Sequence, residues 1–352
     1  MKCSSIAIIT LLGHASAKTW NNTGKGAILL EEAFSLDYPE LNRDVGSALP
    51  GQTIQQLIDN LADIHNQRVR WMDELAVDYM VLSLSSPGIQ AISNITLAEE
   101  VATRANNDIA ASISNNTMRF GAFAALSMHN ATQAANELKR CVQELGFHGA
   151  LLNDFQQAGL DNNTLHYYDT ADYDPFWQMV VDLDVPVYMH PRAPTMTIIQ
   201  LEYAHAPWIL GPVHQFSVTL SNHIMGLCTN GIFDRFPSLK IIVGHLGERI
   251  PSDLWRIDEM LKRKVPEGIP MNRTLSSYWK TNIWETTSGD FATELLEFHR
   301  SVIGEDRILY SVDYPFAMMQ QGAEWLKTLR QSKKTGLNFI RNTAIKLLKL
   351  DG

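Results

Sequence analysis

The chain has 352 residues, 45% of them hydrophobic and 19% charged, which suits one large buried core and argues against disorder. Its net charge of −9 and the absence of any Lys/Arg cluster argue against nucleic acid or an anionic membrane as partner.

Taken in chain order, the first feature is a positive residue (Lys2), an apolar run over 6–12 and the small residues Ala15-Ser16-Ala17. That order predicts a cleavable signal peptide at 1–17, with 18–352 forming a single domain. An ordinary buried strand is the alternative. Six N-x-[ST] sequons, at Asn21, Asn94, Asn115, Asn130, Asn162 and Asn272, extend the expectation to a secreted glycoprotein. Cys141 and Cys228 lie on helix-like stretches among apolar neighbours, so two free buried thiols are expected.

From residue 28 onward, strand-like and helix-like stretches alternate. Strands are predicted at 28–34, 79–84, 119–126, 149–153, 185–190, 239–244, 282–287 and 307–313. Helices are predicted at 54–75, 97–114 and 131–145, with further helical stretches between the later strands and an amphipathic helix closing the chain at 337–350. Eight apolar runs without alternation read as a parallel sheet covered on both faces, an α/β fold of the (β/α)8 TIM-type barrel class. A doubly wound open sheet is the structural alternative, but no glycine-rich phosphate loop follows the first strand. The connections at 154–184 and 192–215 are long and rich in aromatics and prolines. In a barrel such loops build the substrate pocket.

Four of the runs end on a group able to do chemistry. Glu31 and Glu32 follow Ala27-Ile28-Leu29-Leu30, where a carboxylate is expensive unless paired, capping a helix or bound to a metal. His190 ends Val187-Tyr188-Met189, and taken alone it reads as well as a satisfied core histidine. His245 and Glu248 form H-x-x-E after 241–244, a spacing that lets a carboxylate fix an imidazole tautomer. A structural salt bridge of Glu248 with Arg249 is the plainer reading. Asp313, in Ser311-Val312-Asp313-Tyr314-Pro315, resembles the last-strand Asp of metal-dependent barrel hydrolases, where one carboxylate both touches the metal and handles a proton. A turn cap is its plainer reading. In a parallel barrel these four ends converge on one face, and two acids with a His make a reasonable site for one divalent ion.

The order Glu31-Glu32-Ala33-Phe34, Met189-His190-Pro191-Arg192, Gly244-His245-Leu246-Gly247-Glu248 and Ser311-Val312-Asp313-Tyr314-Pro315-Phe316 resembles the amidohydrolase-related (amidohydrolase 2) proteins. Within them the chain is similar to the non-oxidative decarboxylases of 2,3-dihydroxybenzoate, γ-resorcylate and salicylate. Thr229 through Arg256 and Thr286-Thr287-Ser288-Gly289 are close matches, and the resemblance runs from about Gly26 to the C-terminus. It implies that Glu31, His190 and Asp313 bind one divalent metal, that His245 with Glu248 lies beside it, and that Arg249 and Phe316 lie near the substrate. Many relatives carry a His where Ala33 stands. Ala33 therefore favours decarboxylation over hydrolysis and leaves an oxygen-rich site for Mn²⁺ or Mg²⁺ as well as Zn²⁺. The resemblance further implies a small aromatic carboxylic acid as substrate, no organic cofactor, and a homo-oligomer, dimer or tetramer. The rival readings are a hydrolase of a lactone, ester or amide on the same barrel, and a non-catalytic binding protein.

Overall fold

The computed structural model describes residues 20–41, 49–161 and 163–351, so the expected signal at 1–17 and the sequon at Asn162 lie outside the described residues. Among the described residues there are ten strands: β1 Ala27–Phe34, β2 Val77–Leu84, β3 Phe120–Ala122, β4 Ala150–Asn153, β5 Gln156–Ala158, β6 Thr164–His166, β7 Pro186–His190, β8 Lys240–Val243, β9 Ile283–Thr286 and β10 Ile308–Leu309. β5 and β6 form an antiparallel hairpin within the long 154–184 connection. The other eight pair in parallel as β1-β2-β3 and β4-β7-β8-β9-β10. A parallel bridge between Ala124 and Ala150 joins the two sets. The far side is closed beyond the regular strands, where Ala33 N–H donates to the Tyr314 carbonyl at 2.8 Å. The result is the expected (β/α)8 ring in place of an open sheet.

Alternation along the strands builds two apolar layers. Ile28, Leu30, Tyr79, Val81, Leu151, Tyr188, Ile242 and Leu309 point inward and pack together, with Trp20, Leu347 and Leu350 closing one end. Leu29, Met80, Leu82, Leu152, Val187, Ile241 and Ile308 point outward against the helices. A parallel barrel buries both faces of every strand, which is why the sequence shows apolar runs without a polar phase.

The structure departs from the expected elements in the first long helix and in the last strand. The helix expected at 54–75 is two, Ile54–Ala62 and Gln67–Glu74. Asp63 breaks it by taking the Asn66 and Arg68 backbone N–H groups, the local competition that makes Asp a poor interior helix residue. The last strand is regular only over Ile308–Leu309, because Tyr310 N–H turns to Phe339 O. Two sequon asparagines, Asn94 and Asn130, are helix N-caps whose side chains accept from Leu97 and from Thr132 and Gln133. The sequon threonine Thr274 caps another helix, and Thr23 is bonded to Asp78. Capping and local bonding therefore account for these Asn and Thr residues. Cys141 and Cys228 are both free and buried, as expected.

Candidate active site

Glu31 reaches the barrel mouth through a β-bulge. Leu29 pairs with Met80 and Glu32 with Leu82, so β1 advances three residues where β2 advances two. The extra residue turns Glu31 onto the inward face that Leu30 already occupies, a common use of bulges beside active sites. Tyr188 donates its hydroxyl to Glu31 Oε2, and Thr286 Oγ1 donates to the same oxygen at 3.1 Å. Among the described residues no hydrogen-bond donor reaches the other oxygen, Oε1.

That oxygen faces two imidazoles, with His190 Nε2 at 3.4 Å and His245 Nε2 at 3.8 Å. His190 ends β7, and its Nδ1 lies 2.6 Å from the Pro191 carbonyl and 3.1 Å from Asn153 Oδ1. Both partners accept, so Nδ1 carries the proton and Nε2 shows a lone pair to Glu31. Burial lowers the His190 pKa to about 4, the Glu31 charge only partly offsetting it, so the ring is neutral.

His245 sits on a left-handed turn directly after β8. Its φ is 51°, and positive φ values continue through Leu246, Gly247, Glu248 and Arg249. Each L-residue held there costs roughly 1–2 kcal/mol, and the turn brings His245 Nδ1 to 2.7 Å from Glu248 Oε1. Gly244 is needed for a different reason: a Cβ there would lie 2.6 Å from Glu31 Oε2. A Cβ on Gly247 would meet Glu285 and Trp279. The glycines flanking His245 thus make room for protein groups, Glu31 foremost. Burial pushes the His245 pKa down, but the Glu248, Glu31 and Asp313 carboxylates together raise it well above the usual imidazole value.

Asp313 occupies the turn after the last strand with φ 71°, its Oδ2 3.7 Å from His245 Nε2. Burial is the main cause that pushes its pKa to about 7; Glu31 and Glu248 add to the rise and His245 opposes it.

The structure therefore brings Glu31, His190, His245, Glu248 and Asp313 together as the sequence suggested. Phe316 lines the same cleft, together with Ala33, Ser86 and Leu151. Arg249 is turned elsewhere: its guanidinium bonds His214 Nδ1 at 2.9 Å and the Val213 carbonyl at 3.2 Å. Sequence reasoning missed Tyr188, Thr286 and Asn153, the residues that orient Glu31 and His190. Tyr188 was within reach, because it lies two residues before His190 on one strand and so shares its face.

The donor set fits a divalent metal ion. Glu31, His190 and His245 each offer one atom within 4.8 Å of the others, with Asp313 adjoining through His245. The unsatisfied Glu31 Oε1 and the His190 Nε2 lone pair are both acceptors, and two acceptors facing at 3.4 Å need a cation to reconcile them. Two nitrogens and carboxylate oxygens suit Zn²⁺ or Mn²⁺.

Comparison with known proteins agrees with this geometry. Residues 58–350 match the Amidohydrolase family. The γ-resorcylate decarboxylase of Polaromonas sp. (strain JS666) is 41% identical over 327 residues, covering 93% of this chain and 99% of that enzyme. A crystal structure of 2,6-dihydroxybenzoate decarboxylase complexed with 2,6-dihydroxybenzoate superposes with a TM-score of 0.87 at 39% identity, covering 93% of this chain and all of that one. A dihydroxybenzoic acid decarboxylase from Polaromonas sp. JS666, with bound manganese and the inhibitor 2-nitroresorcinol, has a TM-score of 0.85 at 38% identity and covers 93% and 98%. These matches correct the expectation of a secreted glycoprotein with a signal peptide. The relatives at 39–41% identity are bacterial γ-resorcylate decarboxylases, and nothing in them supports a signal peptide, secretion or glycosylation. Of the described sequon residues, Asn94, Asn130, Thr274 and Thr23 have the capping and bonding roles given above. The chain belongs to the amidohydrolase family and stands among its metal-dependent decarboxylases.

Proposed function

We propose that the chain is a non-oxidative decarboxylase of an ortho-hydroxybenzoic acid, of the γ-resorcylate, 2,3-dihydroxybenzoate or salicylate type. The observation that carries this reading is the pair of facing acceptors, Glu31 Oε1 and His190 Nε2, at the mouth of a chain so similar to such enzymes. Glu31, His190 and Asp313 are assigned to the metal, with His245 beside them. When bound there, a divalent ion supplies the positive charge that fixes the acid's carboxylate and neighbouring phenolic oxygen.

The remaining chemistry belongs to the side chains. Phe316, Leu151 and Ala33 give the ring an apolar seat beside Glu31, His190 and Asp313. Asp313 holds a proton at its carboxyl and delivers it to the ring carbon that bears the carboxylate. The bond from that carbon to the carboxylate then breaks, its electron pair returns to the ring, and CO2 leaves. His245, its Nδ1 held by Glu248, returns a proton to Asp313 from Nε2 and recovers one from solvent. The protonated ring is the electron sink, so the step needs no organic cofactor.

The direct test is product analysis with γ-resorcylate, salicylate and 2,3-dihydroxybenzoate. The expected products are CO2 and the corresponding phenol. Hydrolysis of a lactone, ester or amide without CO2 release would transfer the site to the hydrolase reading.

A homo-oligomer, dimer or tetramer, belongs to the same proposal. Met196, Leu201, Trp208 and Val213 expose large apolar side chains along one connection, as association surfaces do. Light scattering should give a mass of two or four chains, and a monomer would remove this part of the reading.

A further inference from the structure

We propose that Glu32 is a positioning residue that sets Glu31 and Asp313 together, by locking the bulge of β1 to the turn that carries Asp313. The inference rests on the roles given above to Glu31 and Asp313. Glu32 is fully buried, and its carboxylate is spent on the last-strand turn. Oε1 accepts from Ser311 Oγ at 2.9 Å and from the Val312 N–H at 3.0 Å, while Oε2 accepts from the Tyr314 N–H at 2.9 Å. These donors bracket Asp313 on both sides. Asp313 itself is held in the left-handed region, which L-residues avoid unless their surroundings fix them.

The same network reaches Glu31. Ser311 Oγ accepts from the N–H groups of both Leu30 and Glu31, each at 2.9 Å. Those are the two residues at the bulge, and two amides converging on one acceptor hold the extra residue in place. With both amides pointing at it, the Ser311 hydroxyl has its own proton left for Glu32. One chain of hydrogen bonds thus runs from the β1 bulge through Ser311 to Glu32 and on to the amides beside Asp313. It spans the seam between first and last strands, where regular pairing has ended.

Three donors converge on the Glu32 carboxyl and favour its acceptor-only carboxylate form, against the burial that raises its pKa. A glutamine would bring an NH2 group against an N–H or a hydroxyl proton. Such outer partners of a metal site typically govern affinity or activity by about 10- to 100-fold.

The test compares Glu32→Gln, Ser311→Ala and Asp313→Asn with the parent protein, using Mn²⁺ titration and steady-state turnover of γ-resorcylate. In E32Q the Kd for Mn²⁺ should rise about 10-fold, and kcat at saturating Mn²⁺ should fall about 10- to 100-fold with KM changed less than about 2-fold. S311A, which keeps Glu32, should show both effects more weakly. A merely structural Glu32 would lower thermal stability and leave Kd and kcat of the folded protein at parental values; that result in E32Q, or in S311A should E32Q not fold, overturns the proposal. Full turnover by D313N would remove Asp313 from the reaction and this proposal's link to it. A raised Mn²⁺ Kd in E32Q, where the parent protein decarboxylates nothing, would sustain the link to Glu31 and sink the decarboxylase reading instead.

Discussion

Glu31 Oε1 and His190 Nε2 face each other across 3.4 Å as two acceptors. Tyr188 and Thr286 hold the other Glu31 oxygen, while Pro191 and Asn153 hold the other His190 nitrogen. Each side chain is fixed from behind, which leaves one lone pair of each pointing into a shared space. Burying an acceptor without a donor costs about 1–3 kcal/mol, so the arrangement is one the fold sustains for a cation.

Replacing His190 with Ala should leave a folded barrel with markedly less bound metal. His190 lies at a strand end, and its backbone pairing with Asn153 on β4 does not depend on the ring. Metal analysis of the purified variant decides the matter, since a full complement would refute the ligand assignment.

Asp313→Asn keeps the size of the side chain and removes its acid. Turnover should fall by at least about 10²-fold, the usual worth of a placed proton donor. The melting temperature should stay near that of the parent. Unchanged turnover would exclude Asp313 as the ring-protonating group.

Gly244→Ala tests the packing behind Glu31. The new Cβ would lie 2.6 Å from Glu31 Oε2 and 2.7 Å from Oε1, closer than any real contact, so the carboxylate must move. An overpacked site of this kind loses about 1–3 kcal/mol. Metal content and kcat should both drop, and a variant with parental values in both would show that Glu31 does not need its present position.

Acid stability should depend on Glu137, far from the mouth. Burial is the largest influence on its carboxyl and raises the pKa, but hydrogen bonds from Arg140 and Asn106 and the Arg140 charge bring it below 4.5. A lowered folded value means stability that is present above pH 4.5 and lost as pH falls through the folded value. Glu137→Gln should therefore cost about 1–2 kcal/mol near pH 7 and show a shallower loss on acidification in denaturant titrations. A variant as stable as the parent at neutral pH would contradict this.

Much of the architecture was legible because parallel strands covered on both faces leave apolar runs, and the polar residues ending four of them converge on the candidate site. What the sequence did not reveal lies where the backbone leaves regular geometry. The β1 bulge, which turns Glu31 inward, leaves no mark in Leu29-Leu30-Glu31-Glu32, since alternation alone assigns Glu31 and Leu29 to one face. The left-handed turn from His245 to Arg249 is only hinted at by Gly247, and it is what sends Arg249 toward His214 and away from the cavity. The secretory reading failed for a related reason. Asn94, Asn130 and Thr274 stand where helices begin, and the same residue types that make a sequon also make an N-cap.

The central claim, a metal-dependent decarboxylase at the Glu31–His190–His245–Asp313 mouth, is tested most directly by CO2 release. γ-Resorcylate should be supplied to the protein before metal removal, after chelation, and after Mn²⁺ is restored. The account predicts CO2 and resorcinol from the first sample, none after chelation, and recovery with Mn²⁺. A protein with one metal per chain that releases no CO2 from γ-resorcylate, salicylate or 2,3-dihydroxybenzoate would contradict it.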